Sequence, residues 1–223
     1  MKTEHTIKAV VYDVDGTMVN SEPLHVWAWD KALKIHGHTL ADLSERFRAT
    51  MAGKKPIAIA VGMAEELHLP IIPDAFLAEK TDLFNDLIAT DLRGMPGVLE
   101  SVKRFDASGL LLGIGTSLGR PYIDSVLTML GVREHFSVIV TGDEIKNGKP
   151  HPDTYLTVAA RLGVQPWECV VLEDAASGIQ SAKAAGCYCI AIENPNAAPQ
   201  DTSQADVVVG SLDEVTVDVI RGF

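Results

Sequence analysis

Apolar positions follow two different rhythms along this chain. From Ile7 to Tyr12 they are nearly continuous and rich in β-branched side chains, and then the chain meets Asp13-Val14-Asp15-Gly16. That is the pattern of a parallel strand buried on both faces and emptying into a loop. Leu24, Trp27, Ala28, Ala32 and Ile35 next recur at helical spacing and stop at Gly37. Ile57 to Leu67 reads as another helix. Phe76, Leu77, Leu83, Phe84, Leu87 and Ile88 keep the same period, with Lys80 as a polar interruption. The pattern over 18–90 therefore predicts an all-helical segment.

Beyond Gly94-Met95-Pro96-Gly97 the rhythm alternates. Helical spacing at Val98, Leu99, Val102 and Phe105 gives way to the apolar run Leu110 to Ile114, and Ile123, Val126, Leu127 and Leu130 precede Val138 to Val140. Tyr155, Leu156, Ala159 and Leu162 precede Cys169 to Leu172; a small-residue helix to Ala185 and strands near Cys187–Ile192 and Val207–Val209 follow. Strand alternating with helix predicts an α/β fold, a Rossmann-like parallel sheet covered by helices on both faces. Its first strand is followed at once by an inserted all-helical domain. The expected boundaries are 1–17 with 91–223 for the α/β core and 18–90 for the insert.

Composition narrows the possibilities. With 223 residues and 47% apolar content the chain can bury a large core. No run reaches the ~18 apolar residues of a membrane span. The three cysteines, Cys169, Cys187 and Cys189, are an odd count, so they read as packing residues of a protein in a reducing cytoplasm. A net charge of −11 opposes binding to nucleic acid or an anionic membrane. An anionic small ligand would need a cation, placed lysines or backbone N–H groups. A monomer is the default expectation.

Ligands of open α/β sheets sit beyond the carboxyl ends of the strands, and four such ends carry chemistry. Asp13-Val14-Asp15-Gly16-Thr17 offers two carboxylates, although a strand-ending turn would also use them. It is a poor calcium loop, because Met18 and Leu24 stand where Gly and Glu are needed. Gly113-Ile114-Gly115-Thr116-Ser117 offers hydroxyls and N–H groups to a phosphate, or a helix N-cap; as a dinucleotide fingerprint it fails at Leu118. Lys149 lies in Asn147-Gly148-Lys149-Pro150-His151-Pro152, where the prolines restrict the backbone around a side chain that would otherwise be a solvated charge. Glu173-Asp174 ends an apolar strand, with Asp174 also a candidate cap for the next helix. If Asp13, Asp15, Glu173 and Asp174 converge, each pair at ~4 Å repels by roughly 4 kcal/mol at an effective dielectric of about 20, so the cluster needs a cation; oxygen donors point to magnesium.

Together these groups form a phosphoryl-transfer kit. Asp13-Val14-Asp15-Gly16-Thr17, Thr116, Lys149 and Glu173-Asp174, in this order, resemble the four motifs of the haloacid dehalogenase superfamily of phosphohydrolases. The resemblance spans essentially the whole chain and is strongest over Tyr12–Leu24, Gly142–Tyr155 and Val170–Gly186. An all-helical cap after the first motif is similar to the branch of sugar-phosphate phosphatases and β-phosphoglucomutase. The resemblance implies Asp13 as nucleophile, Asp15 as acid/base, and Thr116, Ser117 and Lys149 on phosphate. It also implies Mg²⁺ held by Asp13, the Asp15 carbonyl, Glu173 and Asp174. The expected substrate is a small phosphorylated metabolite, a sugar or polyol phosphate. In the cap, Gly53-Lys54-Lys55-Pro56 places Pro56 where β-phosphoglucomutase-like sequences have an arginine, which favours a phosphatase over the mutase, with Lys54 or Lys55 as substitutes. Asn20 stands where many relatives have Asp. His25 and Trp29, one helical turn apart, and Arg120 are candidate substrate contacts, each equally readable as packing or solvated charge. A receiver-like signalling domain, which also uses an acceptor aspartate, Mg²⁺, a hydroxyl and a lysine, carries its acid pair and acceptor on different strands from those here.

Overall fold

The six strands among the described residues all pair in parallel. The computed structural model describes residues 6–51 and 56–223. In chain order the elements are β1 (Ala9–Tyr12), α1 (Glu22–Ile35), α2 (Glu45–Ala49), α3 (Pro56–Glu66), α4 (Pro73–Asp91), α5 (Val98–Ala107), β2 (Leu111–Gly115), α6 (Arg120–Leu130), β3 (Val138–Val140), α7 (Asp153–Leu162), β4 (Cys169–Glu173), α8 (Ala176–Ala185), β5 (Tyr188–Ile192), β6 (Val207–Val209) and α9 (Val217–Arg221). The chain divides into two units, Met1–Asn20 with Arg93–Phe223, and Ser21–Leu92.

In the first unit the strand order is β3-β2-β1-β4-β5-β6. The earliest strand is thus central, with β2 on one side and β4 on the other. Tyr12 pairs with Ile114 of β2 and with Leu172 of β4, so one step further along, Asp13 lies level with Gly115 and Glu173. This is the point where strand order reverses, and where such sheets open a crevice. Every residue of β1 is buried, because both faces are covered. Ala9 and Val11 pack with Tyr155, Val158, Ala159, Ile179 and Ala182 of α7 and α8. Tyr12 points the other way, where its hydroxyl donates to Ser101 Oγ of α5 at 3.0 Å and its ring meets Phe136 edge-on. Cys169, Cys187 and Cys189 are free thiols within the α7/α8-side core.

The second unit is helical. Helices α1 and α3 both pack on α4. Its apolar core contains Trp29, Ala32, Leu33, Ile59, Met63 and Phe76. The buried face of α1 is therefore Leu24, Ala28, Trp29, Ala32 and Leu33, while Trp27 and Ile35, which the spacing had put in the same stripe, are exposed. Trp27 carries the Lys31 ammonium over its ring at 4.9 Å. Lys80, the polar interruption in α4, is buried and reaches His25 Nδ1 at 2.7 Å, with the Phe84 ring stacked on the imidazole. Among the described residues no helix is long and apolar enough to cross a membrane.

Candidate active site

The end of β1 delivers Asp13, and a tight loop follows: Gly16 N–H donates to Val19 O at 2.9 Å and Met18 N–H to Val14 O at 2.8 Å. Gly16 adopts φ +91°, open to glycine at little cost. A Cβ there would also lie 2.0 Å from Asp174 Oδ2, so the position must be bare for the acid from β4 to approach. Thr17 Oγ1 donates to the other Asp174 oxygen at 3.2 Å. These contacts tie the first loop to the end of β4.

At that end Glu173 Oε2 accepts the backbone N–H groups of Asp174 and Ala175 at 3.1 and 3.0 Å. Helix α8 therefore starts without Asp174 as its side-chain cap; its N-cap position is Ala175. The reason is local. Glu173 already covers those N–H groups, and the Asp174 carboxylate turns to Thr17. Gly178, in the first turn of α8, makes room for Glu173, since a Cβ would sit 1.6 Å from Oε1.

Lys149 joins the two strand ends. Its ammonium is 2.6 Å from Asp13 Oδ1 and 2.6 Å from Glu173 Oε1, with its side chain only 6% exposed. It is not the solvated loop charge that its surroundings also allow. The Tyr155 hydroxyl donates to Glu173 Oε1 at 2.8 Å, and the Tyr155 ring lies beneath the ammonium, 4.9 Å from its centroid. One oxygen each from Asp13, Glu173 and Asp174 fall within 4.8 Å of one another. The Asp15 side chain is not in this group, contrary to a reading in which all four carboxylates converge. Its Oδ1 is 3.4 Å from the Tyr122 hydroxyl of α6.

Three buried carboxylates against one ammonium are electrostatically incomplete. Burial pushes Asp13 well above the usual carboxylate range; Lys149 pulls it down and Glu173 and Asp174 push it up again. Asp174 is pushed up to about 7 by burial and by Glu173, against hydrogen bonds from Thr17 and Asn194. Burial alone would lower the Lys149 pKa, but Asp13 and Glu173 outweigh it and hold the ammonium above its ordinary value. A pocket of oxygen donors with this much uncompensated charge fits a hard divalent cation, with Asp13, Glu173 and Asp174 as its side-chain donors.

The other expected residues fall in different places. Thr116, just past β2, is buried, donates its N–H to Val140 O at 3.1 Å and accepts Leu118 N–H on Oγ1 at 3.2 Å, while Ser117 is exposed. Arg120 is not drawn to the acids: its Nε donates to Asp124 at 3.0 Å, an exposed i,i+4 pair on α6. Trp29 is 4% exposed and packs on Phe76, which makes it a core residue of the helical unit. His25 is held by Lys80 as described. Lys54 and Lys55 lie outside the described residues. The spacing did not single out Tyr155 or Tyr122 as site residues. The usable signal for Tyr155 was a tyrosine in the first turn of the helix after Lys149.

A doubly wound sheet with an acid pair after its central strand, a buried lysine and two further acids on the neighbouring strand defines a class of phosphoryl-group enzyme. The sequence matches the haloacid dehalogenase-like hydrolase family over residues 10–192, and the chain belongs to it. It is 33% identical over 177 residues to the Escherichia coli fructose-1-phosphate phosphatase YqaB, spanning 79% of this chain and 92% of that protein. It is 34% identical to Escherichia coli hexitol phosphatase A, over 94% of each. The structure of CbbY from Rhodobacter sphaeroides, crystallised with xylulose 1,5-bisphosphate, superposes with a TM-score of 0.78 at 26% identity, covering 96% of this chain and 99% of that one. The protein is a phosphoric monoester hydrolase.

Proposed function

We propose that this enzyme is a Mg²⁺-dependent phosphatase of small sugar or polyol phosphates that works through an aspartyl phosphate on Asp13. The observation that carries the reading is the buried convergence of Asp13, Glu173 and Asp174, the first two bridged by Lys149, at the crevice end of the sheet. The substrate class is supported by relatives named as phosphatases of fructose 1-phosphate and of hexitol phosphates.

A phosphate monoester dianion repels a carboxylate nucleophile, so positive charge must offset that repulsion and the charge spread in the transition state. Asp13, Glu173 and Asp174, with the Asp15 carbonyl, would hold Mg²⁺, which when bound supplies that offset. Lys149, the hydroxyls of Thr116 and Ser117 and the Ser117 N–H orient the phosphoryl oxygens. An Asp13 carboxylate oxygen attacks phosphorus, the bond from phosphorus to the sugar oxygen breaks, and Asp15 gives its proton to that oxygen as the alcohol leaves. Water then attacks the phosphorus of the aspartyl phosphate while Asp15 takes up its proton. The P–O bond to Asp13 breaks, releasing inorganic phosphate and the free carboxylate.

The test is phosphate release from a panel of sugar, polyol, nucleoside and two-carbon acid phosphates, with and without Mg²⁺, for the parent enzyme and Asp13→Asn. Turnover of a sugar or polyol phosphate that needs Mg²⁺ and is lost in Asp13→Asn supports the reading. Near-normal turnover in that variant removes Asp13 as nucleophile. Isomerisation of β-glucose 1-phosphate outrunning phosphate release, with a bisphosphate primer, would instead make the enzyme a β-phosphoglucomutase.

A further inference from the structure

Glu173 is the most fully hydrogen-bonded acid of the site. A carboxylate has about four lone-pair positions. On Oε2 two are taken by the N–H groups of Asp174 and Ala175; on Oε1 the Lys149 ammonium and the Tyr155 hydroxyl both bind. The two donors on Oε1 differ in kind. Lys149 reaches in on a long side chain from a loop and is shared with Asp13. Tyr155 stands on α7, is 1% exposed, and has its ring wedged beside Gly115, where a Cβ would come within 3.0 Å of it. Its hydroxyl position is therefore set by core packing.

We propose that Tyr155 is a positioning residue for Glu173: its hydroxyl fixes the orientation of Oε1, and when the Lys149 ammonium turns to the phosphoryl oxygens the lone pair it leaves on that oxygen is pre-arranged for a divalent cation. This rests on the cation reading of the site given above. A neutral donor suits that task, because it orients the acid without neutralising the charge the cation needs. The same ring supports the Lys149 ammonium from below, so one core side chain sets the relative placement of the lysine and the acid on two different segments. Hydroxyl and ring are separable. Tyr155→Phe keeps the packing against Gly115 and the face beneath Lys149 and removes only the O–H donor.

The experiment is calorimetric titration of Mg²⁺ into the full chain as parent, Tyr155→Phe and Asp174→Asn, with unfolding of each followed in chelator. Orienting partners of metal ligands typically contribute about 10–100-fold in affinity, so the Mg²⁺ Kd of Tyr155→Phe is expected to rise at least about tenfold. At saturating Mg²⁺ its kcat returns to the parent value, a split that a purely structural defect does not produce. Equal or tighter Mg²⁺ binding by Tyr155→Phe, beside a parent that binds and an Asp174→Asn that does not, overturns the positioning role and leaves the cation reading standing. A parent that binds no Mg²⁺ ends the cation reading and this proposal with it. If Tyr155→Phe does not fold, 3-fluorotyrosine at position 155 replaces it, keeping the ring while strengthening the donor. A changed Mg²⁺ affinity then supports the role, and an unchanged one overturns it.

Discussion

Replacing Lys149 by methionine tests whether its ammonium is the internal counter-charge of the site. Methionine fills similar volume but leaves Asp13, Glu173 and Asp174 buried without the ammonium that bridges two of them, at 2.6 Å each. Breaking a buried ion pair by removing one partner costs about 3–5 kcal/mol, and for a chain of this size each kcal/mol lowers Tm by ~2–4 °C, so a fall of roughly 6–20 °C is expected in chelator at pH 8. Acid should shrink the deficit. Burial raises the pKa of Asp13 and of Asp174 in the folded state, Asp174 from 3.8 to about 7, so within that window the folded chain holds protons that the unfolded chain has lost. Stability from this source therefore falls as pH rises through the window, and the cost is complete above it. Protonated acids do not need the lysine, so Lys149→Met should lie closer to the parent at pH 5 than at pH 8. The assay is urea unfolding at both pH values of the parent, Lys149→Met, Asp13→Asn and the double variant. Contacting charges couple, so the double variant should cost less than the two singles together by about 0.5–3 kcal/mol. A Lys149→Met protein within about 1 kcal/mol of the parent at pH 8, with an additive double variant, would refute the counter-charge role.

Three more outcomes follow from the same geometry. Asp15→Asn should lower kcat/KM for a sugar phosphate by roughly 10²–10⁴-fold, but far less for p-nitrophenyl phosphate, whose leaving group needs no proton; equal losses on both substrates would take the proton-donor role from Asp15. Gly178→Ala drives a Cβ to within 1.6 Å of Glu173 Oε1, and should destabilise the protein by about 1–3 kcal/mol and weaken Mg²⁺ binding; calorimetry and thermal unfolding of a variant indistinguishable from the parent would contradict the close approach. With Asp174 pushed up to about 7, protons compete with the cation below that pH, so the apparent Mg²⁺ affinity should fall as pH drops from 8 to 5, with protons released on binding at pH 6; a titration flat across this range would count against Asp174 as a ligand.

Much of this protein is legible one residue at a time. Ile7–Tyr12 reads as an interior strand, because a run that is apolar but for Lys8 at its start has almost no face to give to water. The later alternation of helical and strand rhythm required parallel pairing, and the carboxylates at the ends of two such runs were visible as acids placed where a crevice opens. Periodicity is less exact at the margins of a face. On α1 it admitted Trp27 and Ile35 to the buried stripe, whereas the packing of α1 on α4 buries Trp29 and Leu33 and leaves those two in solvent.

What the chain alone determined is the set of chemical groups and the kind of element that carries each. Which of them meet was decided by tertiary structure. Strand order puts β1 between β2 and β4, and the register sets Asp13 level with Glu173, a pairing across 160 positions of sequence that no local pattern contains. Lys149 could as well have been solvated, and Arg120 could as well have faced the acids. Burial of the lysine between two carboxylates and the i,i+4 partner Asp124 beside the arginine settled the two cases in opposite directions. Composition and spacing report whether a side chain is wanted inside; the positions of side-chain ends, to within the length of a hydrogen bond, follow only once the sheet and its helices have packed.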